Sequence, residues 1–330
     1  MSKPILVTGA TGFLGLHVCE QLCDAGHTVR AIGRSEGDAV SALGIEYIQG
    51  SILEDDALAK AVAQCGAVFH LAGMVSRDPQ DAPKMHAVHV EGTRRVIHAA
   101  AEAGVGKIVY ASSSGTIACT KDRHTITDET NAYPMDLLGR WPYYETKVEA
   151  EKIALSLPSS LGIELVCINP SLILGPGDTW GSSTNDVLQL LKGKIPAVPP
   201  GGLSLVDVRD VASAALNALD RGRAGERYLL GAANWTLRTF IEQVGEIGNV
   251  RVPRIGVPGW LTVASAHLTE PVLRAIGQKP ALDVPSAQMS RLYWYCDSSK
   301  AKTELGFCPR PPQQTLGDTI RDLRSRGLVT

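Results

Sequence analysis

Nowhere in this 330-residue sequence does an apolar run last long enough to cross a bilayer. The most apolar late stretch, Gly256 to Ala266, is broken by Pro258 and followed by His267 and Glu270, and it reads as a lid or pocket helix. No membrane partner is expected. An excess of either charge is also missing. Lys and Arg number 32 against 34 Asp and Glu, a formal net charge of -2 that cannot displace counterions along a polyanion, so no nucleic-acid partner is expected. The seven cysteines are an odd number and form no CxxC pair. Cys19 and Cys23, one helical turn apart, read as small buried residues in a reducing cytoplasm, not as a disulfide or metal pair. His86, His89 and Glu91 are spaced too unevenly for zinc, so no metal is expected. His17 and His70 read as packed, hydrogen-bonded residues. The sequence has no internal repeat. Met1-Ser2-Lys3-Pro4 runs straight into the first strand, which fits a cytoplasmic protein without a leader.

What is present is aliphatic: 44% of residues are hydrophobic and only 5% aromatic, as in a globular chain. Ile5-Leu6-Val7-Thr8 runs into Gly9-Ala10-Thr11-Gly12-Phe13-Leu14-Gly15, and helical spacing follows. This is strand, tight turn, helix start. Gly9 permits a conformation that a Cβ resists. Gly12 lets the main chain approach a pyrophosphate, and Gly15 lets the helix lie close to the strand. The helix start aims free N–H groups at phosphates. Further strands are expected at 28–32, 45–48, 67–72, 107–111 and 163–168. Helices are expected at 57–62, 88–103 and 144–157, the last ending before Pro158. That alternation predicts an α/β fold, a Rossmann doubly wound parallel sheet with a smaller C-terminal substrate lobe.

The dinucleotide-binding domain is read as 1–170, with a strand and helix in 205–219 and a strand at 227–230 returning to it. Residues 171–204 and 231–330 are read as the substrate lobe. Thr236 caps a predicted helix to Ile247, residues 251–295 read as irregular, and short helices are expected at 299–305 and 316–326.

Strand 2 ends Ile32-Gly33-Arg34, where an NAD enzyme usually has a carboxylate for the ribose 2′-hydroxyl. Arg34 offers a donor fork suited to a 2′-phosphate. NADP(H) is therefore the expected cofactor, with NAD(H) second; Glu36 and Asp38 lie nearby in sequence. Tyr143 and Lys147 stand at i and i+4, on one helical face. An ammonium and an oxidised nicotinamide would lower the phenol below its usual value of about 10. Such a Tyr can exchange a proton with a carbonyl oxygen. Ser112-Ser113-Ser114 follows the strand at 107–111, and a hydroxyl there can stabilise the same oxygen.

The glycine turn, this serine and Tyr143-xxx-Lys147 resemble the extended short-chain dehydrogenase/reductases. Further matching stretches are Val68 to Gly73, Val90 to Thr93, Asn169-Pro170-Ser171, Gly175-Pro176-Gly177 and Leu305-Gly306-Phe307. The resemblance implies that Ser113, with Ser114 second, Tyr143 and Lys147 are catalytic. It implies that Lys147 holds the nicotinamide ribose, that Leu71, Ala72 and Gly73 pass close to the cofactor, and that Pro170 to Ile173 border the nicotinamide. Ser51 and Ile52 stand where the family often has an Asp that helps hold the adenine. A homodimer is also a family trait.

Arg34 and Ser113 to Thr116 resemble the dihydroflavonol-reductase-like branch, which implies reduction of a ketone or aldehyde. Ala118 stands where plant members have an Asn that holds a flavonoid, so a different, apolar substrate is expected. Alternatives are a nucleotide-sugar epimerase, on Asn169 before Pro170; a sterol or steroid dehydrogenase; and a redox-inactive NADPH-binding regulator.

Overall fold

A computed structural model describes residues 3–34, 37–275, 277 and 282–329. Seven parallel strands form the main sheet: β1 (Ile5–Thr8), β2 (Val29–Gly33), β3 (Glu46–Gln49), β4 (Ala67–His70), β5 (Lys107–Ala111), β6 (Glu164–Pro170) and, later in the chain, β9 (Arg227–Leu230). Their order is β3-β2-β1-β4-β5-β6-β9. The chain leaves β1 toward one edge and returns at β4 toward the other, so the carboxyl ends of β1 and β4 flank a crevice where ligands of such sheets bind.

Both faces are covered, which is why β1 and β4 are buried along their whole length. On one face lie the helix Phe13–Asp24 and the helix Val208–Arg221, packed on Val7, Val18, Leu22, Phe69 and Val211. On the other lie Asp55–Val62, Gly92–Glu102 and Pro142–Ser160, around Leu58, Val68, Ile97, Ile108 and Ala154.

A second sheet contains β7 (Leu172–Leu174), β8 (Gly202–Asp207), β10 (Ala233–Thr236) and β11 (Tyr293–Trp294), all paired to β8. A third core, with Leu174, Val187, Phe240, Val244 and Ile320, sits against it. Asp207 starts the helix Val208–Arg221 by accepting the Arg209 N–H at 2.9 Å, a cap worth about 1 kcal/mol. Thr236 caps Leu237–Gly248 in the same way, through the Thr239 N–H at 3.0 Å.

Several expectations need correction. The strand expected to return at 205 belongs to the second sheet; only the helix and β9 rejoin the first. Pro158 lies inside the helix Pro142–Ser160. It falls in the last turn, where its missing N–H costs one bond, and its carbonyl accepts from Leu161 and Ile163 at 3.0 Å each. Residues 251–295 are not irregular throughout: Gly259–Ala275 and Val284–Met289 are helices. Pro258 and Pro285 stand at their starts, where no intrahelical N–H is needed. The helix expected at 88–103 instead begins with a π turn, Ala87–Glu91, before Gly92–Glu102. A helix Asn185–Leu191 was not foreseen.

Candidate active site

The carboxyl ends of β1, β2, β4, β5 and β6 open into one cleft of about 2320 Å³. It is bordered by Gly9, Thr11, Gly12, Phe13, Leu14, Gly15, Arg34, Ser51, Ile52, Leu71, Ala72, Gly73, Ser113, Tyr143, Lys147, Pro170 and Ile173. Thr8 alone among the expected site residues is off its wall. Its hydroxyl is buried, accepts the Ala72 N–H at 3.2 Å and bonds His70 Nδ1 at 2.8 Å. Thr8 therefore shapes the turn after β4 from behind.

The glycine turn is as tight as its spacing implies. Gly9 has φ of +73°, and a Cβ there would sit 2.7 Å from the Ala72 nitrogen. A Cβ on Gly15 would lie 2.0 Å from the Gly9 carbonyl oxygen, so backbone would have to move. This cradle, which side chains would fill, fits a dinucleotide pyrophosphate, and the long cleft fits the rest of the molecule. Arg34 is exposed at its rim, and among the described residues no carboxylate pairs with it. Glu36 lies outside the described residues. Asp38 opens the short helix Asp38–Ser41.

At the other end of the cleft, the helix Pro142–Ser160 carries Tyr143 and Lys147 toward the end of β5. Lys147 is 6% exposed and donates to the Ala111 carbonyl at 3.1 Å. Burial brings its ammonium down to about 8. The Ser113 hydroxyl accepts the Gly115 N–H at 3.2 Å and lies near enough to Tyr143 to favour its ionised form. Tyr144 also borders the cleft, stacked on Trp294 with ring centroids 4.9 Å apart. Tyr143 is set here by the protein alone. Desolvation raises the phenol, and the opposing influence is Ser113, not Lys147.

Two histidines buttress this wall. His89 Nε2 accepts the Met74 N–H at 3.0 Å, so the ring proton is on Nδ1, 2.9 Å from Thr146 Oγ1. Thr146 in turn donates to the Pro142 carbonyl at 2.7 Å. Burial and the nearby Lys147 hold His89 neutral, at about 2. The π turn that presents His89 is an irregularity often found at functional sites. His70 links Thr8 to Thr93 Oγ1, the latter at 3.0 Å, and the same two causes bring it to about 3.

Glu151, one turn beyond Lys147, was missed by sequence reasoning, although 143, 147 and 151 share a helical face. Its carboxylate is fully buried. It accepts from Ser112, from Thr116 Oγ1 at 3.0 Å, from Asn169 Nδ2 at 2.7 Å and from Tyr133 at 3.2 Å, and it pairs with Arg227 at 3.2 Å. Asn169 also donates to the Ser113 carbonyl at 3.1 Å, so its amide is used behind the serine loop and not on the cleft wall.

This geometry agrees with what the chain resembles. Residues 5–231 match the model of the NAD dependent epimerase/dehydratase family, and the chain belongs to that family. Its members include NAD(P)-dependent oxidoreductases of the extended short-chain dehydrogenase/reductase kind. The Synechocystis sp. protein named "Putative dihydroflavonol 4-reductase" is 33% identical, over 100% of this chain and 97% of its own. Sterol demethylase protein B of Methylococcus capsulatus is 29% identical over 98% and 99%. The solved structure of gox2253 superposes with a TM-score of 0.87 at 32% identity, covering 100% of both chains.

Proposed function

We propose that this enzyme reduces the ketone or aldehyde of a small, apolar substrate to an alcohol at the expense of NADPH. The observation that carries the reading is the meeting of Ser113, Tyr143 and Lys147 in the same cleft as the glycine cradle and Arg34. When bound, the nicotinamide supplies the hydride. Tyr143 delivers the proton to the carbonyl oxygen, and Ser113 donates a hydrogen bond to that oxygen as its charge grows. Lys147 would hold the ribose hydroxyls, and Ser113, which favours the ionised phenol, eases the loss of its proton. Arg34 would hold the 2′-phosphate, and Ser51 and Ile52 the adenine. Met74, Leu172 and Trp294 give the substrate end of the cleft an apolar lining. The name of the sterol-processing relative supports an apolar substrate. A cytoplasmic homodimer completes the reading, on family resemblance and free thiols.

The test is consumption of NADPH with a panel of ketones, aldehydes and nucleotide sugars. Net oxidation with apolar carbonyls is expected. Interconversion of nucleotide sugars without net NADPH loss would mean an epimerase, and tight NADPH binding without any turnover would mean a regulator.

A further inference from the structure

The helix Gly259–Ala275 wears its apolar side outward. At 100° per residue, Trp260, Ala264, Leu268, Val272 and Ala275 fall within an arc of ~120°. Trp260 is 66% exposed, Leu268 75% and Val272 61%. The side chains this helix buries are the small Thr262 and Ala266. Ordinary surface helices show the reverse arrangement. Ile255, just before the helix, is 74% exposed. It is not on a loose loop, because the flanking backbone bonds Val198 at 2.9 and 3.1 Å. Large contiguous apolar patches on a monomer mark a contact.

Charge says with what. From Asn249 to Thr269 the sequence holds Arg251 and Arg254 and no carboxylate. Both arginines are exposed and, among the described residues, unpaired with any acid. Glu270, the first acid, is turned inward: it accepts from the Val284 N–H and from Arg274, both at 2.8 Å. An outward stripe of Trp, Leu, Val and Ile, preceded in sequence by the two arginines and carrying no carboxylate before Glu270, is the pattern of a helix that lies in the plane of an anionic bilayer surface. The neighbouring Arg238–Glu242 pair stands beside Arg254. We infer that this helix and the segment before it dock the enzyme peripherally on anionic phospholipid. Among the described residues no helix is long and apolar enough to cross a bilayer, so the inference is of surface docking only, in place of the expectation that no membrane partner exists. Thr262 and Ser265 on the same helix line the cleft, so docking would set its mouth against the lipid. The inference stands on the surface alone and does not depend on the substrate reading.

The experiment floats the full chain with phosphatidylcholine vesicles that contain or lack phosphatidylglycerol. Binding to the anionic vesicles is expected, weakened by salt. The triple variant Trp260→Ser, Leu268→Ser, Val272→Ser and the pair Arg251→Glu, Arg254→Glu should each bind at least roughly tenfold less. Circular dichroism and melting temperature should stay as in the parent. In the parent, brominated lipid should quench tryptophan emission, and Trp260→Phe should remove that quenching while leaving binding. The inference is overturned if the chain does not float. It is also overturned if the triple variant floats as well as the parent, or if its effect is to split a dimer, which would assign the face to a second copy of the chain.

Discussion

His89 and Thr146 are joined at 2.9 Å, and that bond ties the turn after β4 to the helix that carries Tyr143. Because His89 Nε2 is committed to the Met74 N–H, one ring sets the position of both walls of the cleft. Replacing His89 by Leu removes an acceptor and a donor together. The expected outcome is a fall in kcat of about thirtyfold with a smaller change in KM, since two hydrogen bonds are each worth ~1 kcal/mol. His89→Asn, which offers an amide oxygen and an N–H, should recover part of the loss. Equal kinetics in parent and Leu variant would remove His89 from the site.

Lys147 links the site to stability. Its folded value, about 8, lies below its ordinary 10.5. Between those two values the unfolded chain holds the proton that the folded chain has lost, so this lysine makes stability rise with pH across that window. At neutral pH its buried charge costs up to ~3 kcal/mol. Lys147→Met should therefore abolish turnover yet leave the protein at least as stable near neutral pH in urea titrations. The advantage should fade as pH climbs toward about 10.5. A variant that is less stable near neutrality and shows no such trend would contradict the assignment.

Glu151 gathers five donors into a fully buried carboxylate. Glu151→Gln leaves Arg227 without its counter-charge and turns an N–H₂ toward groups that donate. A loss of about 3 kcal/mol is expected from denaturant unfolding, with Ser113 displaced through Asn169. A cost below ~1 kcal/mol would mean that the network is worth little.

Arg34→Glu should weaken NADPH binding by roughly a hundredfold, since a fork that matches a phosphate becomes a like charge. NADH binding should change little. Calorimetric titration with both nucleotides checks this, and an unaltered preference would place the 2′-phosphate elsewhere.

Much of this was legible in the sequence because it is local. The glycine turn, the near-continuously apolar strands and the spacing of Tyr143 and Lys147 are each written within a few residues. What escaped depends on distant packing. Gly259–Ala275 was partly hidden by its prolines and by an apolar stripe that does not face the core. Glu151 drew no reading from the sequence, because the groups at β5, β6 and β9 that close over it are distant in the chain. His89 was weighed only as a zinc ligand, because Met74 and Thr146 meet it in space alone. Tyr143 is half-buried in the cleft wall, and the desolvation that raises its phenol depends on packing that spacing cannot reveal.

The central claim is that Tyr143 hands over the proton, and Tyr143→Phe tests it most directly. With NADPH and a carbonyl that the parent reduces, the account predicts retained NADPH binding and a kcat lowered at least a hundredfold. A Phe variant that turns over at the parental rate would contradict it.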